Sequence, residues 1–133
     1  MIVLDTHALV WWVNGDDRLS APARALIEQS VASTNGRVLV SVISAWEIAM
    51  LVERGRVALA MDLDEWLLAV ESLEGVALVP LSAQVAVQSA TLPGEFHKDP
   101  ADRIIVALAR EQNAVLVTAD EKIQRYPHVR WAW

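Results

Sequence analysis

Two carboxylates, a histidine and an arginine lie within seven residues of this chain, at His97-Lys98-Asp99-Pro100-Ala101-Asp102-Arg103. Pro100 suits the first turn of a helix, because its missing N–H would have no partner there. This spacing makes Asp99 the N-cap and puts Asp102 at the third helical position, near the positive end of the helix dipole. Two interpretations of Asp102 are open: it stabilises the helix start, or its carboxylate points into a pocket and helps to bind a metal ion.

The composition predicts one packed domain over residues 1–133. Hydrophobic residues make up 54% of the chain and charged residues 21%, which is typical of a globular protein. A chain of this length buries a sizeable core without disulfide or metal staples. There is no cysteine, which excludes disulfides, thiolate metal ligands and a cysteine nucleophile.

The charge and hydropathy patterns bear on partners and location. The net charge of −6 argues against a protein that coats nucleic acid nonspecifically, although it leaves open an enzyme that acts on nucleic acid. Polar residues interrupt the apolar runs well before a bilayer would be spanned, and the first residues do not resemble a signal peptide. We expect a soluble cytoplasmic protein without a membrane partner.

Short apolar runs alternate with longer helical patterns, which predicts an α/β fold with a parallel sheet and helices on both faces. The predicted strands are 2–4, 37–41, 76–79 and 115–118, with a short fifth strand at 129–131. The predicted helices are 6–13, 20–30, 44–52, one around 64–70, 82–90, 100–112 and a short one starting at 119–121. The spacing of Ser44 and Glu47 is that of a capping box opening the third helix.

Four acids are expected at one edge of this sheet. Asp5 follows the first strand, Glu47 lies in the first turn after the second strand, and Asp120 follows the fourth strand. Asp102 begins the helix that leads into the fourth strand, so its first turn is near the same edge. Each acid also has an ordinary helix-capping explanation. Four carboxylates on one rim repel each other unless a cation lies among them, and hard oxygen ligands favour Mg²⁺ or Mn²⁺ over Zn²⁺.

Ordered motifs across nearly the whole chain resemble those of PIN domains, and most closely the VapC-like toxin branch of bacterial type II toxin–antitoxin systems. The motifs are Leu4-Asp5-Thr6-His7, Ser44-Ala45-Trp46-Glu47-Ile48-Ala49, Leu92-Pro93, His97 to Ile104, and Leu116-Val117-Thr118-Ala119-Asp120. Two positions depart from the pattern: Leu51 stands where relatives often have lysine, and Ala101 where phenylalanine is common. Neither departure touches the acidic set.

The resemblance implies a three-layer α/β/α PIN-like fold with a central parallel sheet of four to five strands. It implies a Mg²⁺- or Mn²⁺-dependent endoribonuclease that leaves 5′-phosphate and 3′-hydroxyl ends, without a covalent nucleophile. The implied acidic pocket, catalytic and metal-binding, consists of Asp5, Glu47, Asp102 and Asp120. Asp99 is a less secure fifth acid, because capping alone explains it. Thr118 and Thr6 would hold a water or orient a carboxylate.

The implied partners are an RNA substrate, a cognate antitoxin and a second copy of the chain. Trp131 and Trp133, near the end of the sequence, are candidates for the dimer contact. His97 is either a contact to substrate phosphate or a structural loop residue. Arg103 either pairs with a carboxylate or binds RNA.

The remaining tryptophans are predicted to be mainly core residues. They are Trp11, Trp12, Trp46 and Trp66, and the alternative for one of them is a stacking platform for bases.

Two other functions are compatible with parts of the pattern. One is a catalytically silent PIN-like scaffold that binds RNA or protein, against which the complete acidic set argues. The other is a phospho-acceptor signalling domain. That class requires a pair of acids after the first strand, where this chain has only Asp5.

Overall fold

Five strands alternate with helices along the chain in a computed structural model that describes all 133 residues. The strands are β1 (Ile2–Leu4), β2 (Val38–Ser41), β3 (Val76–Val79), β4 (Val115–Val117) and β5 (Trp131–Ala132). The helices are α1 (Thr6–Asn14), α2 (Ala21–Ala32), α3 (Val42–Glu53), α4 (Leu63–Glu71), α5 (Ala83–Ala90), α6 (Pro100–Glu111) and α7 (Glu121–Gln124). The predicted α/β class is confirmed, with small differences at the element ends.

The strands form one sheet in the order β3-β2-β1-β4-β5, and every neighbouring pair is parallel. The first strand therefore lies at the centre, and the chain adds strands to one side of it before the other. Flavodoxin-like domains have the order 2-1-3-4-5, so this topology does not support the phospho-acceptor alternative.

Alternate strand residues pack into two separate cores, one on each face of the sheet. On one face, Ile2 and Leu4 pack with α1, α2 and α4. On the other face, Val3 and Leu116 pack with α5, α6 and α7. This alternation follows from the two-residue period of a strand, and helices on both faces keep the parallel sheet away from water.

Several predicted helix ends are confirmed by side-chain hydrogen bonds. Ser20, Ser82 and Asp99 each accept a hydrogen bond from the backbone N–H three residues later, as N-caps do. Helix α1 ends at Gly15, whose φ of +65° is the left-handed conformation that glycine adopts without steric cost.

The predicted capping box at Ser44 and Glu47 is wrong. Helix α3 begins earlier, and its N-cap is Ser41, whose side chain accepts a hydrogen bond from the Ile43 N–H. Strand β2 passes into α3 without a loop, so Ser44 is already the third residue of the helix and Glu47 lies in its second turn. Ser44 and Glu47 are thereby free to interact with another part of the chain.

The core prediction holds for one tryptophan and fails for another. Trp66 is 1% exposed, whereas Trp11 and Trp12 are only partly buried against the same core. Trp46 is 55% exposed, so its assignment to the core is wrong. The buried positions of α3 are Ser44 and Ile48, and a residue two positions from each lies on the opposite side of a helix.

No helix of the structure combines the length and apolarity needed to cross a bilayer.

We expect Ile105→Ala to lower the free energy of unfolding by about 2–5 kcal/mol, because removing a buried aliphatic side chain leaves a cavity. Ile105 is fully buried in α6, the helix that packs on α5 and on the centre of the sheet. Urea denaturation followed by circular dichroism measures the change. The matched control is Leu68→Ala, because Leu68 is 65% exposed. Equal losses in the two variants would contradict this assignment of the core.

Candidate active site

An open cleft of about 510 Å³ lies at the carboxyl edge of the sheet. It is lined by Asp5, His7, Trp11, Glu47, His97, Asp99, Asp102, Ala119, Asp120 and Lys122. The structure thus brings together the four predicted acids, the less secure Asp99 and the predicted His97. Ligands of parallel α/β sheets bind at this edge, since the strand ends of one polarity meet there.

Asp5 is the most buried of these acids, with 6% of its surface exposed. It follows β1 directly and is also the N-cap of α1, because its Oδ1 accepts a hydrogen bond from the Thr6 N–H at 2.8 Å. Its Oδ2 accepts a hydrogen bond from the Thr118 hydroxyl at 2.7 Å. Both carboxylate oxygens are therefore oriented, one by α1 and one by the end of β4.

Glu47 is held by the hydroxyl network that replaces the predicted capping box. The Thr6 hydroxyl donates to Glu47 Oε1 at 2.5 Å, and Thr6 Oγ1 lies 2.9 Å from Ser44 Oγ. Because the single hydroxyl proton of Thr6 is used by Glu47, Ser44 is the donor in the second bond. Ser44 is fully buried, and the chain of two hydroxyls joins α3 to α1.

Asp120 is connected to Asp5 through Thr118. The Thr118 hydroxyl that donates to Asp5 also accepts a hydrogen bond from the Asp120 N–H at 3.0 Å. Asp120 Oδ1 accepts from the Lys122 N–H at 2.8 Å, so this carboxylate caps the short helix α7. One fully buried threonine thereby positions two of the four acids.

Asp102 is the acid with the fewest partners. Its own N–H donates to Asp99 Oδ1 at 3.0 Å, which confirms Asp99 as the N-cap of α6. His97 Nε2 is 3.1 Å from Asp102 Oδ2, but the two groups are not aligned for a hydrogen bond, and Nε2 is buried without a partner. No hydroxyl or backbone donor holds the Asp102 carboxylate, in contrast to Asp5 and Glu47.

Burial and mutual repulsion raise the pKa values of three of these acids. Burial raises the pKa of Asp5, although the hydrogen bonds from Thr118 and Thr6 work against it. Burial also raises the pKa of Glu47, opposed by the Thr6 hydroxyl. For Asp102, burial and then the negative charges of Asp5 and Asp99 raise the pKa to about 8. Clustered carboxylates without a neutralising partner behave in this way.

The donor chemistry of the cleft fits a hard divalent cation. Five carboxylates line it, and no thiolate is available anywhere in the chain. The side chains do not converge on one point, since no three acidic or histidine groups are close enough to form a ready-made metal cluster. This open arrangement suits Mg²⁺, which in proteins keeps several waters and is bound through one or two carboxylates together with substrate phosphates.

Arg103 lies outside the cleft, although it was predicted to contact substrate or pair with a carboxylate. Its guanidinium donates to backbone carbonyl groups and forms no ion pair. His7, Ala119 and Lys122 also line the cleft and were not predicted there, and Trp11 lines it as well, where base stacking was the alternative for one of the tryptophans. Ser44 does not line the cleft but supports Glu47 through Thr6. Ser44 had been assigned to a capping box. Lys122 is close in sequence to Asp120, which was the available signal for it.

Comparison with known proteins gives this arrangement a family. A family model described as the PIN domain matches residues 2–129. The chain belongs to the PIN-domain family. This PIN domain is also 36% identical over 129 residues to Ribonuclease VapC22 of Mycobacterium tuberculosis (strain ATCC 25618 / H37Rv), covering 97% of this chain and 94% of that protein. The resemblance found in the sequence is confirmed.

Solved structures support the same fold. VapBC2 from Rickettsia felis, bound to a DNA fragment from its promoter, has a chain that matches with a TM-score of 0.72 and 20% identity, covering 99% of this chain and 98% of that one. VapC20 of Mycobacterium tuberculosis, a Sarcin-Ricin loop cleaving toxin, matches with a TM-score of 0.64 and 19% identity over 98% of this chain and 99% of that one. At these identities the likeness concerns the fold.

We expect the cation-free PIN domain to lose stability as the pH rises through the raised pKa of Asp102, about 8. A carboxyl whose pKa is higher in the folded than in the unfolded chain stabilises the fold while it is protonated, and this contribution disappears on deprotonation. In EDTA, the melting temperature should be lower at about pH 9 than at about pH 6. Differential scanning fluorimetry measures it.

The control for this experiment is Asp102→Asn, which has no charge to gain. Its melting temperature should fall less across the same pH range. A fall of equal size in the two proteins would contradict the pKa assignment. Mg²⁺ should raise the melting temperature more at the higher pH, because a cation and a proton compete for the same carboxylates.

Proposed function

We propose that this PIN domain is a Mg²⁺- or Mn²⁺-dependent endoribonuclease, acting as the toxin of a toxin–antitoxin pair. The observation that carries the proposal is the convergence of four acids from four separate chain segments, Asp5, Glu47, Asp102 and Asp120, on one cleft. The 36% identity to a ribonuclease over nearly the full length supports RNA as the substrate class.

The cation would be held by carboxylates that retain unused oxygen lone pairs. No group donates a hydrogen bond to the Asp102 carboxylate, and only one of the two Asp120 carboxylate oxygens accepts a hydrogen bond. Asp5 lines the same cleft and adds a carboxylate with a fixed orientation. The chemistry that a bound divalent cation would supply here is a lower pKa for water and neutralisation of charge on the phosphate.

The protein's own contribution is to orient these carboxylates. Thr118 fixes Asp5 relative to Asp120, and Thr6 fixes Glu47. Such supporting hydrogen bonds keep ligands in place and tune their basicity. No serine or threonine lines the cleft, and we propose that water is the nucleophile. Attack by water with departure of the 3′-oxygen would leave the 5′-phosphate and 3′-hydroxyl ends that the family resemblance implies.

The electrostatics imply an order of binding. A cleft lined by five carboxylates repels a phosphodiester, and Lys122, His7 and His97 are the only basic side chains on its wall. RNA should therefore bind productively only with the divalent cation present.

We also propose a cognate antitoxin as protein partner, a homodimer and a cytoplasmic location. A chain of a VapBC complex shares this fold, which supports the antitoxin partner.

The alternative is a catalytically silent PIN-like scaffold that binds RNA or protein. It differs from the proposed enzyme in a measurement that requires no substrate. A calorimetric titration of the protein with Mn²⁺ should show saturable binding if the cleft is an active site. No saturable binding would favour the scaffold.

We expect Asp102→Asn and Asp5→Asn each to reduce RNA cleavage by more than about a hundredfold, since even residues that only support metal ligands contribute 10–100-fold. A fluorescently labelled structured RNA in Mg²⁺ buffer gives the rate, and circular dichroism checks the fold. The control is Asp64→Asn, an exposed acid of α4 outside the cleft, which should cleave at the wild-type rate. Cleavage that survives both cleft substitutions would exclude the assigned site.

Thr118→Val should lower the cleavage rate by about 10–100-fold while Thr118→Ser remains near wild type. Valine has nearly the same shape as threonine but cannot donate to Asp5 or accept from the Asp120 N–H. The pKa of Asp5 should rise further in the valine variant, because a hydrogen bond that favours its charged form is lost. Equal activity of the valine and serine variants would show that the hydroxyl is dispensable.

A further inference from the structure

Arg103 follows Asp102 in the first turns of α6, but its side chain extends away from the cleft toward the segment that joins α5 to α6. Its Nε donates to the Ser89 carbonyl at 2.7 Å, and its Nη1 donates to the carbonyls of Phe96 at 3.1 Å and His97 at 3.2 Å. Nη2 is 3.5 Å from the Ala90 carbonyl. One guanidinium thus bridges the end of α5 and the residues just before the site.

The carbonyls at the end of α5 explain why the positively charged guanidinium of Arg103 is stable there without a carboxylate partner. The last carbonyls of a helix have no partner within it and carry the negative end of the helix dipole. Arg103 satisfies two of them and uses the opposite side of its planar fork for the loop. Lysine has three N–H donors on a single nitrogen and lacks the planar fork of arginine, so it cannot reach all four of these carbonyls at once.

Leu92 and Phe96 of the segment that joins α5 to α6 pack on the core, but the backbone carbonyls of Phe96 and His97 are held by Arg103. Residues 91–99 contain no helix or strand. Near the start of the segment, the Tyr126 hydroxyl donates to the Pro93 carbonyl at 2.5 Å. The residues directly after Phe96 reach the cleft: His97 lies beside Asp102, and Asp99 accepts the Asp102 N–H.

We propose that Arg103 is a positioning residue, which fixes His97 and Asp99 against Asp102 by holding the carbonyls of Phe96 and His97. The proposal rests on the proposed function for the role of the cleft, but not for the bridge itself. Arg103 does not contact the substrate, because its donors are directed at carbonyl groups within the protein and it does not line the cleft.

The test compares Arg103→Lys and Arg103→Gln with Arg130→Lys. Arg130 is a matched control, because its Nη2 also donates to a backbone carbonyl, that of Asn113 at 2.5 Å, beyond the opposite end of α6. Hydrogen exchange of the metal-free proteins, read by mass spectrometry, reports on the loop. Amides of residues 94–99 should exchange at least about tenfold faster in both Arg103 variants, with the strands unchanged, because the loop opens locally.

Two further measurements connect the loop to the site. The dissociation constant for Mn²⁺ alone, from electron paramagnetic resonance, should rise by about tenfold in the Arg103 variants, and kcat should fall by a similar factor with KM for RNA unchanged. Arg130→Lys should leave all three quantities at wild-type values. If the wild type itself binds no Mn²⁺, the proposed function fails, while the exchange measurement still decides whether Arg103 holds the loop.

Two results would overturn the proposal. One is a rise in KM for RNA with loop exchange and Mn²⁺ affinity unchanged, which would make Arg103 a substrate contact. The other is faster exchange throughout the chain with unchanged Mn²⁺ affinity, which would make it a general packing residue. Should neither Arg103 variant fold, the Nε–H resonance of Arg103 in the wild type decides. It should not move when an RNA analogue is added whose bridging 3′-oxygens are replaced by methylene groups, which hydrolysis cannot cleave, and a shift would refute the proposal.

Discussion

The burial of the Asp5 carboxylate at the junction of two central strands is the constraint on which the rest of the site depends. Removing a charged group from water is costly unless donors replace the lost hydration. Here the donors are the first N–H of α1 and the hydroxyl of Thr118 at the end of the neighbouring strand β4. Each of these two threonines also serves another acid, since the Thr6 hydroxyl donates to Glu47 and the Thr118 hydroxyl accepts from the Asp120 N–H. The site is therefore a connected network in which one buried charge determines the placement of two others.

Asp102 stands apart from this network. Hydroxyl groups oppose the rise in pKa of Asp5 and Glu47, but nothing comparable acts on Asp102, whose pKa rises to about 8. The protein has thus fixed three acids by hydrogen bonds, whereas the fourth accepts none and has only His97 Nε2, 3.1 Å from its Oδ2, as a basic neighbour. A group in that condition interacts most strongly with an added cation, because the cation removes repulsion that the fold has not relieved. Its position, in turn, depends on α6 and on the loop before it.

Much of this fold could be predicted from the sequence, because its signals are local. Strand β1 is a continuous apolar run, Pro100 and Asp99 mark the start of α6, and Ser82 caps α5. The shared location of Asp5 and Asp120 followed from the common polarity of parallel strands. The interactions that could not be predicted join distant residues. Ser44 bonds to Thr6 rather than capping its own helix, and Arg103 reaches carbonyls on another helix. The predicted start of α3 was too late, because β2 enters the helix without a turn residue. The exposure of Trp46 was missed together with it.

The central position of β1 has a consequence for when the site exists. The hydrogen bond from Thr118 to Asp5 joins residues 113 positions apart, and β1 pairs with β4 only after both β2 and β3 have been made. A growing chain that has not reached β4 contains Asp5 and Glu47 but neither Thr118 nor Asp120. Contacts of such long range form late, because the loop they close is costly in entropy. The complete acidic cleft therefore cannot exist in a nascent chain until β4 and Asp120 have been translated and β4 has paired with β1.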